Sequence, residues 1–218
     1  MDKVVLLSGG LDSTTLLYYV IDKYPEASIG TIIFDYNQKH KKEIKSAIQT
    51  CVKLKVPFQI FSMKAFSSLA PSALTTEGVL MPEGHYEEDS MRATVVPNRN
   101  MVLLSLAISY SVGKGASEVY YAAHMGDHSV YPDCRPEFVE AIKKVALLCD
   151  WKPVLIEAPF IDINKTQILK KGIDLGVDYS LTWSCYNGRE KSCGKCGTCS
   201  ERLESFQANG IKDPLEYE

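Results

Sequence analysis

No apolar run in the chain is long enough to span a bilayer: the best candidate, Met101–Tyr110, falls well short of the roughly 18 residues a spanning helix needs. A secretory leader is also missing, because only Val4–Leu7 are apolar before a Gly-Gly pair, and the expected location is cytoplasmic. There is no basic excess: 24 Lys and Arg stand against 27 Asp and Glu, for a formal net charge of -3. Proteins that grip nucleic acid by its phosphates draw on such an excess, so neither a nucleic-acid nor a membrane partner is expected. Lys39, Lys41, Lys42, Lys45, Lys53 and Lys55 crowd one stretch and read as a solvated helix face. Internal repeats and low-complexity segments are absent. A hydrophobic content of 45% with 23% charged residues excludes a disordered or fibrous chain, and 218 residues suit one α/β domain with a small appendage.

What is present begins with a regular alternation. Lys3–Leu7 reads as a buried strand and Leu11–Tyr24 as a helix. Ile29–Phe34 is a second strand, Lys39–Leu54 a lysine-rich helix and Pro57–Met63 a third strand. Residues 64–97, with Pro71, Gly78, Pro82, Gly84 and Pro97, form a long irregular connection of the kind that is usually functional. Helices follow at Asn98–Gly113, Pro136–Leu148 and Asn164–Leu175, the last with Asn164 as N-cap, and strands at Glu118–Ala123 and Pro153–Glu157. A short helix over Cys199–Ala208 closes the chain. This βαβ pattern predicts a parallel five-stranded sheet with helices on both faces and ligands at the carboxyl ends of the strands. Residues 1–182 would form that domain and 183–218 a small C-terminal metal-binding element packed on it.

Between the first strand and first helix lies Ser8-Gly9-Gly10-Leu11-Asp12-Ser13-Thr14. Glycines there let the backbone approach an anion, while helix N–H groups and hydroxyls of Ser8, Ser13 and Thr14 supply donors. No lysine follows the glycines, so it is not a Walker A loop, and it lacks the dinucleotide fingerprint. A tight turn with Asp12 or Ser13 capping the helix is the plainer reading.

Of seven cysteines, Cys51, Cys134 and Cys149 are scattered, and the expected compartment argues against a disulfide framework. The other four, Cys185, Cys193, Cys196 and Cys199, fall within fifteen residues, with Gly194 and Gly197 letting the backbone fold around one ion. Four soft ligands closing a tetrahedron describe structural zinc. A redox dithiol would leave two ligands idle, and an iron–sulfur cluster would normally carry a Cys-Pro that is missing here.

SGGLDST resembles the pyrophosphate loop of the ATP pyrophosphatase superfamily. Together with Asp35-Tyr36-Asn37-Gln38-Lys39-His40, Pro97-Asn98-Arg99-Asn100, Tyr131-Pro132-Asp133-Cys134-Arg135-Pro136-Glu137-Phe138 and Thr182-Trp183-Ser184-Cys185-Tyr186-Asn187-Gly188, the chain resembles the 7-cyano-7-deazaguanine synthase family from residue 3 to about 210. The resemblance implies an adenine nucleotide alpha hydrolase-like fold. It further implies an ATP- and Mg²⁺-dependent ligase that turns 7-carboxy-7-deazaguanine and ammonia into the 7-cyano compound for queuosine biosynthesis, as a zinc-containing homodimer.

Carried residue by residue, it gives Leu7, Ser8, Gly9, Gly10, Leu11, Asp12, Ser13 and Thr14 to the nucleotide. Catalytic roles would fall to Asp12, Ser13 and Lys165, and the four cysteines would hold zinc. Tyr131, Asp133, Arg135, Arg99 and His40 would form the deazapurine pocket, with Tyr131 stacking and Asp133 accepting from the guanine-like edge. Plainer roles stand beside these: a surface lysine at Lys165, a proline turn at Tyr131–Asp133, structural partners at His40 and Arg99, and a small buried thiol at Cys134. The family strings run closer to DYGQRH and DxSGYPDCR, whereas Asn37, Lys39, His128 and Val130 stand here. Losing glycine at 37 and 130 restricts the backbone, which leaves the amide as an alternative product. A tRNA-modifying enzyme and a non-catalytic ATP-binding module are the remaining alternatives.

Overall fold

The computed structural model describes residues 1–85 and 89–218. Side chains alternate between the two faces of a strand, and that alternation divides the core. Val4, Ile32, Phe34 and Val119 point into one apolar layer, and Val5, Ile33 and Tyr120 into the other. The strands are β1 (Lys3–Leu6), β2 (Ile29–Asp35), β3 (Phe58–Ser62), β4 (Glu118–Tyr120) and β5 (Leu155–Glu157), all parallel, in the order β3-β2-β1-β4-β5.

Helices α1 (Leu11–Lys23) and α2 (Lys42–Leu54) come early, and α3 (Phe66–Leu69) is a single short turn in the long connection. They are followed by α4 (Arg99–Lys114), α5 (Pro136–Ala146), α6 (Lys165–Asp174) and α7 (Gly197–Ala208). Leu104 and Ala107 of α4 and Val139 and Ile142 of α5 cover the first layer. Leu16 and Leu17 of α1, Ala47 and Cys51 of α2, Ile168 of α6 and Phe206 of α7 cover the second. The C-terminal helix therefore shares the core of the sheet.

Several boundaries differ from expectation by a few residues, among them the end of α5 at Ala146 and the start of α7 at Gly197. The lysine-rich helix starts at Lys42 rather than Lys39, because the chain turns at Asn37, whose φ of 66° is left-handed. β4 stops at Tyr120 rather than Ala123; after the Tyr121 N–H bonds Glu157 O the chain leaves the sheet to enter the cavity wall. Likewise β5 begins at Leu155 rather than Pro153, since only Leu155–Glu157 have partners on β4. The capping box expected at Asn164 is present, with Asn164 and Gln167 bonded reciprocally. No helix among the described residues is long and apolar enough to cross a membrane.

In this strand order the chain reverses direction between β1 and β4. Crossovers on either side leave opposite ways there and open a crevice at the carboxyl ends of those strands.

Candidate active site

A cavity of about 220 Å³ occupies that crevice, reached by the ends of β1, β2 and β4, by α1 and by the chain around Trp183–Tyr186. One end is the loop. Ser13 Oγ accepts from the N–H groups of Ser8 (3.2 Å) and Gly9 (3.3 Å) and lies 2.9 Å from Ser8 Oγ, while the Gly10 N–H donates to Ser8 Oγ. The loop is thus wound about one hydroxyl at the start of α1. Gly9 has φ +92°, and a Cβ there would sit 2.0 Å from Glu43 O, so the glycine is obligatory both for conformation and for space. Gly10 meets no such wall, its nearest contact being Ser8 Oγ at 3.4 Å.

Behind the loop stands a charged cluster. Lys165 Nζ lies 3.5 Å from Asp12 Oδ2 and bonds Glu201, and His124 Nε2 lies 3.7 Å from Asp12 and 3.6 Å from Asp127. Burial disfavours the Lys165 charge, yet Asp12, Glu201 and Asp127 outweigh it and raise its pKa, so the ammonium persists. Burial raises Glu201 despite Lys165 beside it. His124 Nδ1 accepts the Gly126 N–H at 3.1 Å, which leaves the ring proton on Nε2 facing the two aspartates.

The other end is an aromatic wall. Arg99 donates to Tyr36 Oη at 3.4 Å and lies over the Tyr131 ring, 5.7 Å from its centroid. Tyr131 Oη bonds Thr94 Oγ1 (2.9 Å) and Tyr186 Oη (3.0 Å), and Tyr186 packs against His40 with ring centroids 5.5 Å apart. Burial works against the Arg99 charge, but the field of Tyr36, Tyr131 and Asp133 holds it fully protonated. Burial also pushes Tyr36 up to about 12 and keeps Cys134 a thiol.

The structure brings Leu7, Ser8, Gly10, Leu11, Asp12, Ser13, Lys165, His40, Arg99 and Tyr131 to one cavity. Gly9 and Thr14 support the loop from behind, the Thr14 N–H donating to Gly10 O. Asp133 and Arg135 do not line it. The Asp133 carboxylate instead accepts the Asn100 N–H at 2.8 Å, satisfying a free donor at the start of α4, and exposed Arg135 donates to His128 O.

The lining also includes Tyr36, Glu43, Tyr121, Asp127, Trp183, Tyr186 and Thr198, none of which was assigned a role from sequence. Tyr36, Trp183 and Tyr186 lay within the motif strings; His124 and Glu201, set behind the loop, carry no local signal. The altered motif positions keep a permissible backbone. Asn37 takes the left-handed conformation that asparagine tolerates best after glycine, and Val130, at φ -100° and ψ -44°, lies where any residue fits.

The Sγ atoms of Cys185, Cys193, Cys196 and Cys199 lie within 4.8 Å of one another, all buried, and this cluster can hold a metal ion. Backbone N–H groups of Cys193, Lys195 and Cys196 point at the sulfurs of Cys185 and Cys193, as suits thiolate charge. Trp183, just ahead of the cluster, donates its backbone N–H to Gly9 O at 3.0 Å and its indole N–H to Cys185 O at 2.8 Å. The buried pair Arg202–Asp213 (2.6 Å) ties α7 to the C-terminal tail.

A phosphate-type loop over the switch point of a parallel sheet defines the fold as adenine nucleotide alpha hydrolase-like. Two of the solved structures that share it illustrate the likeness. One is the U34-tRNA thiolase NcsA from Methanococcus maripaludis with its [4Fe-4S] cluster, 17% identical, with a TM-score of 0.51 over 95% of this chain and 66% of that one. The other is an NH3-dependent NAD synthetase from Campylobacter jejuni, 15% identical, with a TM-score of 0.50 over 96% of this chain and 75% of that one. At such identity the likeness is one of fold alone.

The sequence is more specific: the chain belongs to the family described as Queuosine biosynthesis protein QueC, whose sequence profile matches residues 2–210. Relatives named 7-cyano-7-deazaguanine synthase include one from Methanoregula boonei, 57% identical over the full length of both chains. Another, from Caldicellulosiruptor saccharolyticus, is 58% identical over all of this chain and 96% of its own.

Proposed function

We propose that this protein is a cytoplasmic ATP-dependent carbon–nitrogen ligase that converts 7-carboxy-7-deazaguanine and ammonia into 7-cyano-7-deazaguanine, for queuosine biosynthesis. The observation that carries the reading is the meeting, in one cavity, of a phosphate-type loop and an aromatic wall bearing a guanidinium, in a chain of this family. A carboxylate oxygen of the acid attacks the α-phosphorus of ATP and pyrophosphate leaves. Ammonia then displaces AMP to give the amide. The amide oxygen attacks the α-phosphorus of a second ATP, releasing a second pyrophosphate and one N–H proton, and loss of AMP with the remaining N–H proton leaves the nitrile.

Ser8, Gly10, Ser13 and the start of α1 would bind the phosphates, and Lys165 would face the charge that develops on them. Asp12, held from one side by Lys165 and from another by His124, has the donor chemistry for Mg²⁺, which would neutralise the departing pyrophosphate. Tyr131, Arg99 and His40 would take the deazapurine. Asp133 and Arg135 would act indirectly, by fixing the start of α4 and the turn at His128.

The four-sulfur set fits structural Zn²⁺, which would hold the chain on both sides of Cys185 in place. Residues 183–218 would then serve as the metal-binding appendage of the nucleotide-binding body formed by 1–182. A homodimer is the expected assembly; exposed Phe58, Ile60 and Phe61 on the open edge strand β3 offer apolar surface for it. Mass spectrometry of base and nucleotide after incubation with Mg-ATP, ammonium and 7-carboxy-7-deazaguanine tests the reading. Nitrile with AMP is expected; amide alone would stop the sequence halfway, and AMP release that ignores the acid would refute it.

A further inference from the structure

His40 is only 3% exposed, lines the cavity, and is asymmetrically partnered. Its Nε2 lies 3.3 Å from Glu43 Oε2, while its Nδ1 is buried with no hydrogen-bond partner. Glu43 is itself held: Gln38 Nε2 donates to Glu43 Oε1 at 3.1 Å and to Phe34 O at 3.2 Å, and Gln38 Oε1 accepts the Tyr36 N–H at 3.0 Å. A carboxylate accepts only, so it favours the imidazole tautomer with the proton on Nε2 and a bare lone pair on Nδ1. An acceptor left unpaired in a buried site is costly unless a ligand donates to it.

We infer that the Gln38–Glu43–His40 chain sets His40 Nδ1 as the hydrogen-bond acceptor for an N–H of the deazapurine, with Glu43 as the positioning residue. The inference rests on the function proposed above and adds to it which atom reads the base and what fixes its polarity. Phosphates and carboxylates have no proton to give, so the ligand group here is an N–H or O–H donor, and the flat aromatic surface beside it favours the N–H of a heterocycle. The neighbouring rings of Tyr186 and Tyr131, with the Arg99 guanidinium, make a surface for a flat heterocycle with ring and exocyclic N–H groups. Glu43 has a further duty, because its main-chain O is the atom that closes on Gly9. The first turn of α2 thereby touches the phosphate loop with its backbone and orients the base acceptor with its side chain.

The test is calorimetric titration of 7-carboxy-7-deazaguanine and, separately, of Mg-ATP into wild type, His40→Phe, His40→Asn and Glu43→Gln, with Tm as a check on folding. His40→Phe removes the acceptor at similar volume and should weaken binding of the acid roughly ten- to hundredfold. In Glu43→Gln the oxygen facing Gln38 is kept, so the new NH₂ faces His40 Nε2 and moves the ring proton to Nδ1. That variant should lose affinity for the acid by a similar factor while holding its Tm, and it carries the test if His40→Phe does not fold. His40→Asn, whose amide oxygen reaches close to the Nδ1 position, should recover most of the affinity. ATP affinity should stay within about twofold throughout.

Undiminished affinity for the acid in both His40→Phe and Glu43→Gln overturns the inference alone, and so does a loss confined to ATP. A wild-type protein that neither binds nor turns over the acid overturns the proposed function and this inference together.

Discussion

At the loop end of the cavity the polar groups are charged and answer one another: Lys165 sits among Asp12, Asp127 and Glu201, and His124 bridges two of those carboxylates. Along the aromatic wall they are mostly neutral; Arg99, a cation, has a phenol and a ring for neighbours, and a buried His40 nitrogen has no hydrogen-bond partner. A charged ligand needs a preorganised field, and the loop end has the charges for one. A flat heterocycle, as proposed for the wall, would need shape and a few aimed donors and acceptors. The chain from Trp183 to Tyr186 touches both ends, through Gly9 at one and Tyr131 at the other, and leads directly into the cysteine cluster.

The sharpest way to break this comparison is at the loop. Lys165→Met leaves half-buried Asp12, Asp127 and Glu201 together without their buried cation, a change expected to cost up to the roughly 3–5 kcal/mol seen when a buried pair is broken. It should abolish acid-dependent AMP formation and lower Tm, measured by nucleotide chromatography and calorimetry. Gly9→Ala should be nearly as severe, about 3 kcal/mol or more, given its left-handed φ and the Glu43 carbonyl. Gly10→Ala should fold normally, and equal damage from the two would undo the account of the loop.

If the cysteine cluster holds zinc as proposed, breaking it should affect both ends at once: Cys196→Ser is expected to lower the zinc content read by elemental analysis and to cost several kcal/mol of stability. Tryptophan emission should shift through buried Trp183, since Trp151 is already fully exposed. Affinity for both substrates should fall together.

Tyr131→Phe removes the hydroxyl shared with Thr94 and Tyr186 and nothing else. The expected loss is about 1 kcal/mol, seen as a several-fold rise in KM for the acid with KM for ATP unchanged.

The smallest effect lies away from both ends. Glu118 pairs with Lys3 at 2.6 Å at the amino ends of the strands. Burial pushes its pKa up, but hydrogen bonds from Lys3 and Tyr120 outweigh that and hold it below the usual value. The folded state therefore gains from the ionised carboxylate above the unfolded pKa and loses that gain as pH falls through the lowered folded one. Glu118→Gln should cost on the order of 1 kcal/mol at pH 7, converge with wild type in acid melts, and leave both KM values alone.

Local chemistry made much of this legible beforehand. β-branched runs alternating with helical spacing gave the five strands and their parallel sense, Asn164 gave its helix start, and four cysteines in fifteen residues gave the metal cluster. These are properties of short segments, set by backbone preference, side-chain period and ligand count. Gly9 and Ser13 were legible because a loop after a first strand has few other uses for such residues, whereas Lys165, at the start of α6, read equally well as a surface lysine.

What only the tertiary structure decided is which side chains meet. His124 meets Asp12 and Glu201 meets Lys165 from distant parts of the chain, Asp133 turns from the cavity to the Asn100 N–H, and Glu43 reaches His40 because α2 begins where Asn37 bends the chain. Sequence fixes a residue's chemistry and its local backbone. Its partner, and so its charge state and its direction, depend on how the crossovers pack at the point where the sheet changes direction.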